Sequence, residues 1–418
     1  MHNNQSAKVF YLMNWFTSLA SSTIFTTYSI YYVTQLGLNP FELVLVGTVL
    51  ELTVLIFEGI TGVIADTYSR KLSIIIGMFI LGMGFMFEGS ILWLQELGPL
   101  IPSVAWVMLA QVVFGIGHTF ISGADSAWMV DEVGESAAGA VFMRAKRVAL
   151  AASLLGIGVS VGLSVLAPNL PYLAGGLMYV ALGLLLIRRM KETRFVRPPR
   201  GGRTSHFREM GQTWRTGAKV IARSPLLLLI VGVTLFSGAA SEGYDRLWEI
   251  HLIREIGFPE GMLKVAVWFG LISAASTILS MLAVSFTETK LNMNREQTVS
   301  AAMFWLTFIR IAGIFSLFLA TDFVWALASV LVVSVAVAVS EPIYATWLNM
   351  NLRSDSRATV LSMVSQSDAL GQTAGGPAVG WIGSRVSIRA SLLASAVLLL
   401  PILGVFGRML RRRQQRGE

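Results

Sequence analysis

The sequence predicts an all-α membrane protein with twelve transmembrane helices arranged as two six-helix halves. Three observations predict it. Apolar runs of at least about 18 residues, each long enough to cross a bilayer as a helix, recur along the whole chain. Of the 418 residues, 54% are hydrophobic and only 13% are charged, against about 25% charged in an ordinary soluble domain. Counting the runs as twelve spans also places the basic residues on alternating connections, as orientation in a membrane requires.

In order, the spans cover approximately 9–34, 42–64, 72–94, 102–127, 146–167, 170–187, 225–250, 263–286, 299–319, 323–348, 358–383 and 388–407. The first run is too long for a secretory signal and lacks a small-residue cleavage site. Most junctions are short, such as Gly37-Leu38-Asn39-Pro40 and Leu97-Gly98-Pro99. One long connection divides the chain into an N-terminal half, 1–187, a linker, 188–224, and a C-terminal half, 225–418, with a short basic tail. Within the linker, Arg197-Pro198-Pro199-Arg200-Gly201-Gly202 reads as a flexible stretch. Phe207, Met210, Trp214 and Ile221 then follow at helical spacing, interleaved with Arg208, Arg215, Lys219 and Arg223. That pattern predicts an amphipathic helix in the inner membrane interface.

With both termini in the cytoplasm, every Lys and Arg falls on the cytoplasmic side except Arg246, Arg254, Lys264, Arg310, Arg385 and Arg389. The formal charge of +8 is therefore read as a positive-inside excess, not as a nucleic-acid footprint. The absence of cysteine excludes disulfides, thiol catalysis and thiolate metal sites. The four histidines, His2, His118, His206 and His251, show no zinc spacing. No phosphate loop or nucleophile constellation is present, and Gly115-Ile116-Gly117 lies inside an apolar span, where it is a packing feature. No enzyme activity, metal or cofactor is expected.

The halves repeat. Ser122-Gly123-Ala124-Asp125-Ser126-Ala127-Trp128, ending span four, resembles Ser340-Glu341-Pro342-Ile343-Tyr344-Ala345-Thr346-Trp347, ending span ten. Gly162 and Gly380 follow at matching distances. Parallel repeats of this kind place a substrate path between halves, near the bilayer midplane.

Between spans two and three stands Gly62-Val63-Ile64-Ala65-Asp66-Thr67-Tyr68-Ser69-Arg70-Lys71. It resembles the signature loop of the major facilitator superfamily, Gly-x-Leu-Ala-Asp-Arg-x-Gly-Arg-Lys, with Thr67 in place of an Arg and Ser69 in place of a Gly. Gly62 is expected to allow a close helix approach. Asp66 and Arg70 are placed to latch two helices, and such a latch can gate between states. The resemblance implies a further acid at the end of span four, for which Asp131 is the better match and Glu132 the alternative. Gln111 stands where many relatives carry Arg. Span five, with Gly156, Gly158 and Gly162, lacks the Gly-Pro pair of many antiporters, whereas span eleven holds Gly375-Gly376-Pro377. Within the superfamily the chain resembles bacterial twelve-helix drug:proton antiporters of the macrolide-efflux-like branch, through the stretches 241–248 and 341–380.

Ionisable groups at membrane depth are functional candidates. Glu51 and Glu58 share one face of span two, about 10 Å apart along the axis. Glu242, Asp245, Arg246 and Glu249 share a face of span seven, where Glu242 and Arg246 form an i,i+4 pair. Arg310 lies near the middle of span nine and needs a carboxylate, with Glu242, Asp245 and Glu341 as candidates. Glu341 precedes Pro342, which loosens span ten. By resemblance to the antiporters, Glu341 is the first candidate for proton coupling. Asp125 is read as structural, Glu88 and Asp368 as weaker candidates, and His118 as a packed histidine. Tyr28 and Tyr32 fall on one face of span one, positioned for ligand contact.

These readings lead to a monomeric secondary transporter of the bacterial cytoplasmic membrane. It would exchange protons for an amphipathic organic small molecule by alternating access. A proton-coupled uptake symporter and a non-transporting sensor on the same scaffold are the alternatives.

Overall fold

The computed structural model describes residues 2–97, 101–195, 221–222, 224–261, 263–291, 293, 295–352 and 357–414. Among these no strand occurs, and twelve long helices hold most of the described residues. In the N-terminal half they are α1 (His2–Phe25), α2 (Pro40–Thr67), α3 (Arg70–Gly89), α4 (Ser103–Ile121, continuing as Ala124–Val133), α5 (Glu135–Leu166) and α6 (Leu170–Arg189). In the C-terminal half they are α7 (Pro225–His251), α8 (Val265–Lys290), α9 (Glu296–Leu319), α10 (Phe323–Met350), α11 (Arg357–Arg385) and α12 (Ile388–Leu398, continuing as Leu400–Gln414). Ten of these are long and apolar enough to cross a membrane. The other two, α1 and α11, are of comparable length but more polar, with Asn14 and Thr17 in α1 and Gln366, Asp368 and Gln372 in α11. The interfacial helix expected from Phe207, Met210, Trp214 and Ile221 falls, save Ile221, outside the described residues.

Local chemistry sets the helix ends. Ser69 caps α3 by accepting from Leu72 N, and Ser387 caps α12 by accepting from Ala390 N, each satisfying an N–H that the helix leaves without a partner. α1 resumes after a break as Tyr28–Ile30 and ends in a π-turn, Tyr31–Gln35, closed by Gly37 at φ 70°. α7 ends the same way, in the π-turn Leu252–Ile256 closed by Gly257 at φ 78°. Left-handed backbone of this kind favours glycine.

Pairing between helices also repeats. In the first half α1 packs on α5 and α6, and α3 on α4 and α6; in the second, α7 packs on α11 and α12, and α9 on α10 and α12. The tightest seams need a missing side chain. A Cβ at Gly156 of α5 would press on Leu19 O of α1, and one at Gly371 of α11 would press on the Leu235 backbone of α7. The two tryptophans that mark the sequence repeat, Trp128 and Trp347, are both fully buried.

The helices gather into two compact units. One holds Met1–Leu38, Val49–Arg208 and Leu263–Gly270; the other holds Asn39–Thr48, Glu209–Met262 and Leu271–Glu418. The start of α2 thus belongs with the second unit and the start of α8 with the first.

Candidate functional site

Five helices of the second unit, α7 and α9 to α12, line a cavity of about 450 Å³, within the usual range for small-molecule sites. α7 contributes Thr234, Ser237, Ser241 and Asp245; α9 contributes Thr307 and Arg310; α10 contributes Ser340, Glu341 and Tyr344; α11 contributes Ser365 and Asp368. Val233, Met303, Leu306, Val337, Val364, Leu399 and Ile402 form its apolar walls. Three carboxylates and one guanidinium therefore meet in one chamber, beside a row of hydroxyls.

The sequence left the partner of Arg310 open among Glu242, Asp245 and Glu341. In the structure Asp245 and Glu341 both line the chamber with Arg310, and Asp368 joins them. Glu242 is turned elsewhere: it is buried, accepts from Arg246 Nε at 3.1 Å, and lies against Gly376 and Gly47, at the second of which a Cβ would overlap its carboxylate. Glu341 is exposed to the chamber, one residue before Pro342. Asp368, a minor candidate from sequence, is a full member of the lining; its Oδ2 accepts from Gln372 Nε2 at 2.9 Å. Across the chamber Tyr344 Oη and Thr234 Oγ1 are 2.5 Å apart. Arg310 Nε is buried without a hydrogen-bond partner among the described residues, so a donor remains for an incoming acceptor.

The motif forms a second cluster, in the first unit. Arg70 reaches Asp66 at 3.4 Å and also bonds Asp131. Asp131, not Glu132, is thus the acid that the end of α4 supplies to Arg70. Lys71 contributes its backbone N–H to Glu192, 3.1 Å away. The close approach expected at Gly62 does not occur there, because no atom lies within 4 Å of where its Cβ would stand. α2 meets α4 through Thr61, whose Oγ1 donates to Thr119 O at 3.0 Å, and again about two turns before that, where Thr53 crowds Gly115.

Glu51 and Glu58 are half-buried on α2. His118 is exposed on α4 instead of packed, its ring tilted against that of Phe114 with centroids 6.2 Å apart. The buried stripe of α4 runs through Val107, Gln111, Gly115 and Thr119, which turns Phe114 and His118 to another face. Glu88 is buried, accepting from Gln111 Nε2 at 3.1 Å and bonding Tyr32. Sequence reasoning missed Glu192; its one signal was an acid standing alone among Arg188, Arg189, Lys191 and Arg194.

A pair of packing-related helical halves, an Asp-Arg motif at the α2–α3 turn and a charged chamber within a helix bundle define a membrane transport protein. The profile of the Major Facilitator Superfamily matches residues 10–365, and the chain belongs to that superfamily. It is 26% identical over 400 residues to the uncharacterized MFS-type transporter YxaM of Bacillus subtilis (strain 168), covering 94% of each chain. Among solved structures it shares its fold with the nucleoside transporter NupG, at a TM-score of 0.74 and 11% identity, covering 97% of this chain and 98% of that one. A bacterial homologue of the human lysosomal transporter Spinster gives a TM-score of 0.72 at 14% identity, covering 98% and 97%.

Proposed function

We propose that this chain exports a small amphipathic organic solute across the bacterial cytoplasmic membrane in exchange for protons. Both termini lie in the cytoplasm and a single chain suffices for transport. The observation that carries the reading is the convergence of Asp245, Glu341 and Asp368 on the chamber that holds Arg310. Charges at this depth are costly unless paired. A proton taken by one carboxylate removes the negative charge that a donor or cationic group of the solute would bind, and a solute held there keeps the proton off. Protonation and solute binding thereby compete for one carboxylate, which is the linkage an exchanger needs. Glu341 is the proton carrier, because it faces the chamber beside a helix that Pro342 weakens. Asp245 and Asp368 hold Arg310 in the meantime.

The apolar walls suit the hydrocarbon part of an amphipath, and the resemblance of 241–248 and 341–380 to drug:proton antiporters supports outward traffic. The row of hydroxyls from Thr234 to Ser365 favours a second reading, proton-driven uptake of a polar solute.

Liposomes carrying the protein and an imposed pH gradient test both readings, with a panel of hydrophobic dyes and macrolide-like compounds. Gradient-driven flux should fall at least about tenfold in Glu341→Gln, the cost of one charge-assisted contact. Unchanged flux would move the proton to Asp245, Asp368, Glu51 or Glu58. Inverted vesicles read the direction. Solute accumulating inside them on acidification of the interior supports export, and solute leaving supports uptake.

The motif cluster of Asp66, Arg70 and Asp131 is the latch that holds one of the two transport states. Asp66→Asn should slow transport while inserting normally into the membrane; wild-type flux in that variant would sink the latch.

A further inference from the structure

The residues that follow α6 fold back over the motif instead of leaving it. Trp128 Nε1 donates to Lys191 O at 2.9 Å. The Glu192 carboxylate lies across the start of α3, accepting from Ser69 Oγ at 2.5 Å, Arg70 N at 2.8 Å and Lys71 N at 3.1 Å. Next along the chain, Thr193 N and Arg194 N donate to Glu132 Oε1 at 2.5 and 3.0 Å, and Thr193 Oγ1 donates to Oε2 at 2.7 Å. The Phe195 ring then stands 5.9 Å from the Arg70 guanidinium.

The first N–H groups of a helix have no partner within it, and the helix dipole makes that end positive. A carboxylate there is favoured on both counts, and its bonds are charge-assisted. Glu192 therefore fixes the backbone of the same residue whose side chain reaches Asp66 and Asp131. Arg70 is held at its backbone by Glu192, at its guanidinium by two acids, and over its face by Phe195. The departure at position 69 becomes intelligible too. Its φ of −178° is extended backbone that needs no glycine, and its hydroxyl both caps α3 and donates to Glu192.

We propose that Glu192 and Glu132 are positioning residues for transport. They close the segment Lys191–Phe195 as a clasp over the latch, tying the head of the central connection to α3 and α4. Arg70 keeps its two carboxylates only while the clasp is closed. This inference rests on the latch reading of Asp66, Arg70 and Asp131.

The chain has no cysteine, so one engineered thiol reports alone. Ser340→Cys, in the chamber lining, is labelled in proteoliposomes with a membrane-impermeant maleimide applied from the motif side. Glu192→Gln should raise the labelling rate about fivefold or more by weakening the state the clasp holds, as loss of a bond to a charged group would. Glu192→Asp should return it towards the starting rate, and Asp131→Asn should raise it as Glu192→Gln does. An unchanged rate in Glu192→Gln beside a raised rate in Asp131→Asn would overturn the clasp and leave the latch standing. Unchanged rates in both would overturn the latch, and the clasp with it. Should Glu192→Gln fail to reach the membrane, Ser69→Gly takes its place. It removes the hydroxyl bond and keeps the charge, so it should act in the same direction and more weakly. No effect of Ser69→Gly would then overturn the proposal.

Discussion

In the N-terminal half the carboxyl of Glu88 is enclosed by Tyr32 and Gln111, while Tyr31 Oη donates to its backbone carbonyl. In the C-terminal half Asp245, Glu341 and Asp368 open onto a chamber they share with Arg310. Both halves pair their helices the same way, so the difference lies in what fills them. Aromatic rings fill the first: Tyr32 stacks on Tyr172 with centroids 6.1 Å apart, Phe85 on Tyr179 at 5.6 Å, and Tyr31 meets Tyr172 at 5.2 Å. Serines, threonines and valines line the second and leave room. One scaffold thus supports a solid interior and a hollow one, and side-chain volume separates them.

The sharpest test of that contrast removes Arg310, the only basic side chain lining the chamber among the described residues. Arg310→Ala strands the facing carboxylates, and flux per inserted protein should drop about a hundredfold or more, since breaking a buried charge pair from one side is expensive. Flux near the wild-type level would mean that the hollow half is not where coupling occurs. Next in size are the two repeated tryptophans. Trp347 packs against Tyr344 and Phe406, and Trp128 adds its bond to Lys191 O. Each Trp→Ala change should cost about 3–5 kcal/mol of stability in a detergent melt, with about 1 kcal/mol more lost for Trp128. Equal losses would show that the clasp adds nothing to the first half. The smallest effect belongs to Glu88→Gln. Glutamine keeps an acceptor for Gln111 and Tyr32, so proton-driven flux should stay within about twofold of wild type. A collapse of flux would place proton handling in the filled half as well.

Much of this was legible in the sequence. The long apolar runs announced the helices, the Asp66–Lys71 loop announced the charged cluster around Arg70, and the two tryptophan segments announced the repeat. Asp131 followed from the family resemblance, and the Glu242–Arg246 pair from helical spacing. The remainder depended on contacts between residues far apart in the chain. Asp245, Arg310, Glu341 and Asp368 stand on four different helices, so no spacing rule brings Asp368 into one lining with Arg310. Glu192 meets Ser69 and Arg70 across more than a hundred residues, and a charge count hides it among the surrounding arginines. His118 misled because small neighbours suggested packing, whereas the buried stripe of α4 passes it by.

The π-turns at Tyr31–Gln35 and Leu252–Ile256 carry a consequence of their own. An α-helix advances about 100° per residue, and a π-turn houses one residue more than an α-turn does. Everything beyond it is rotated out of phase with the helix before it. In α1 and α7 alike, residue number and angular position are therefore decoupled just before Gly37 and Gly257. The entries to α2 and α8 are aimed by a counted surplus residue, so deleting one residue from either turn would re-aim the following helix while leaving the length of apolar chain almost unchanged.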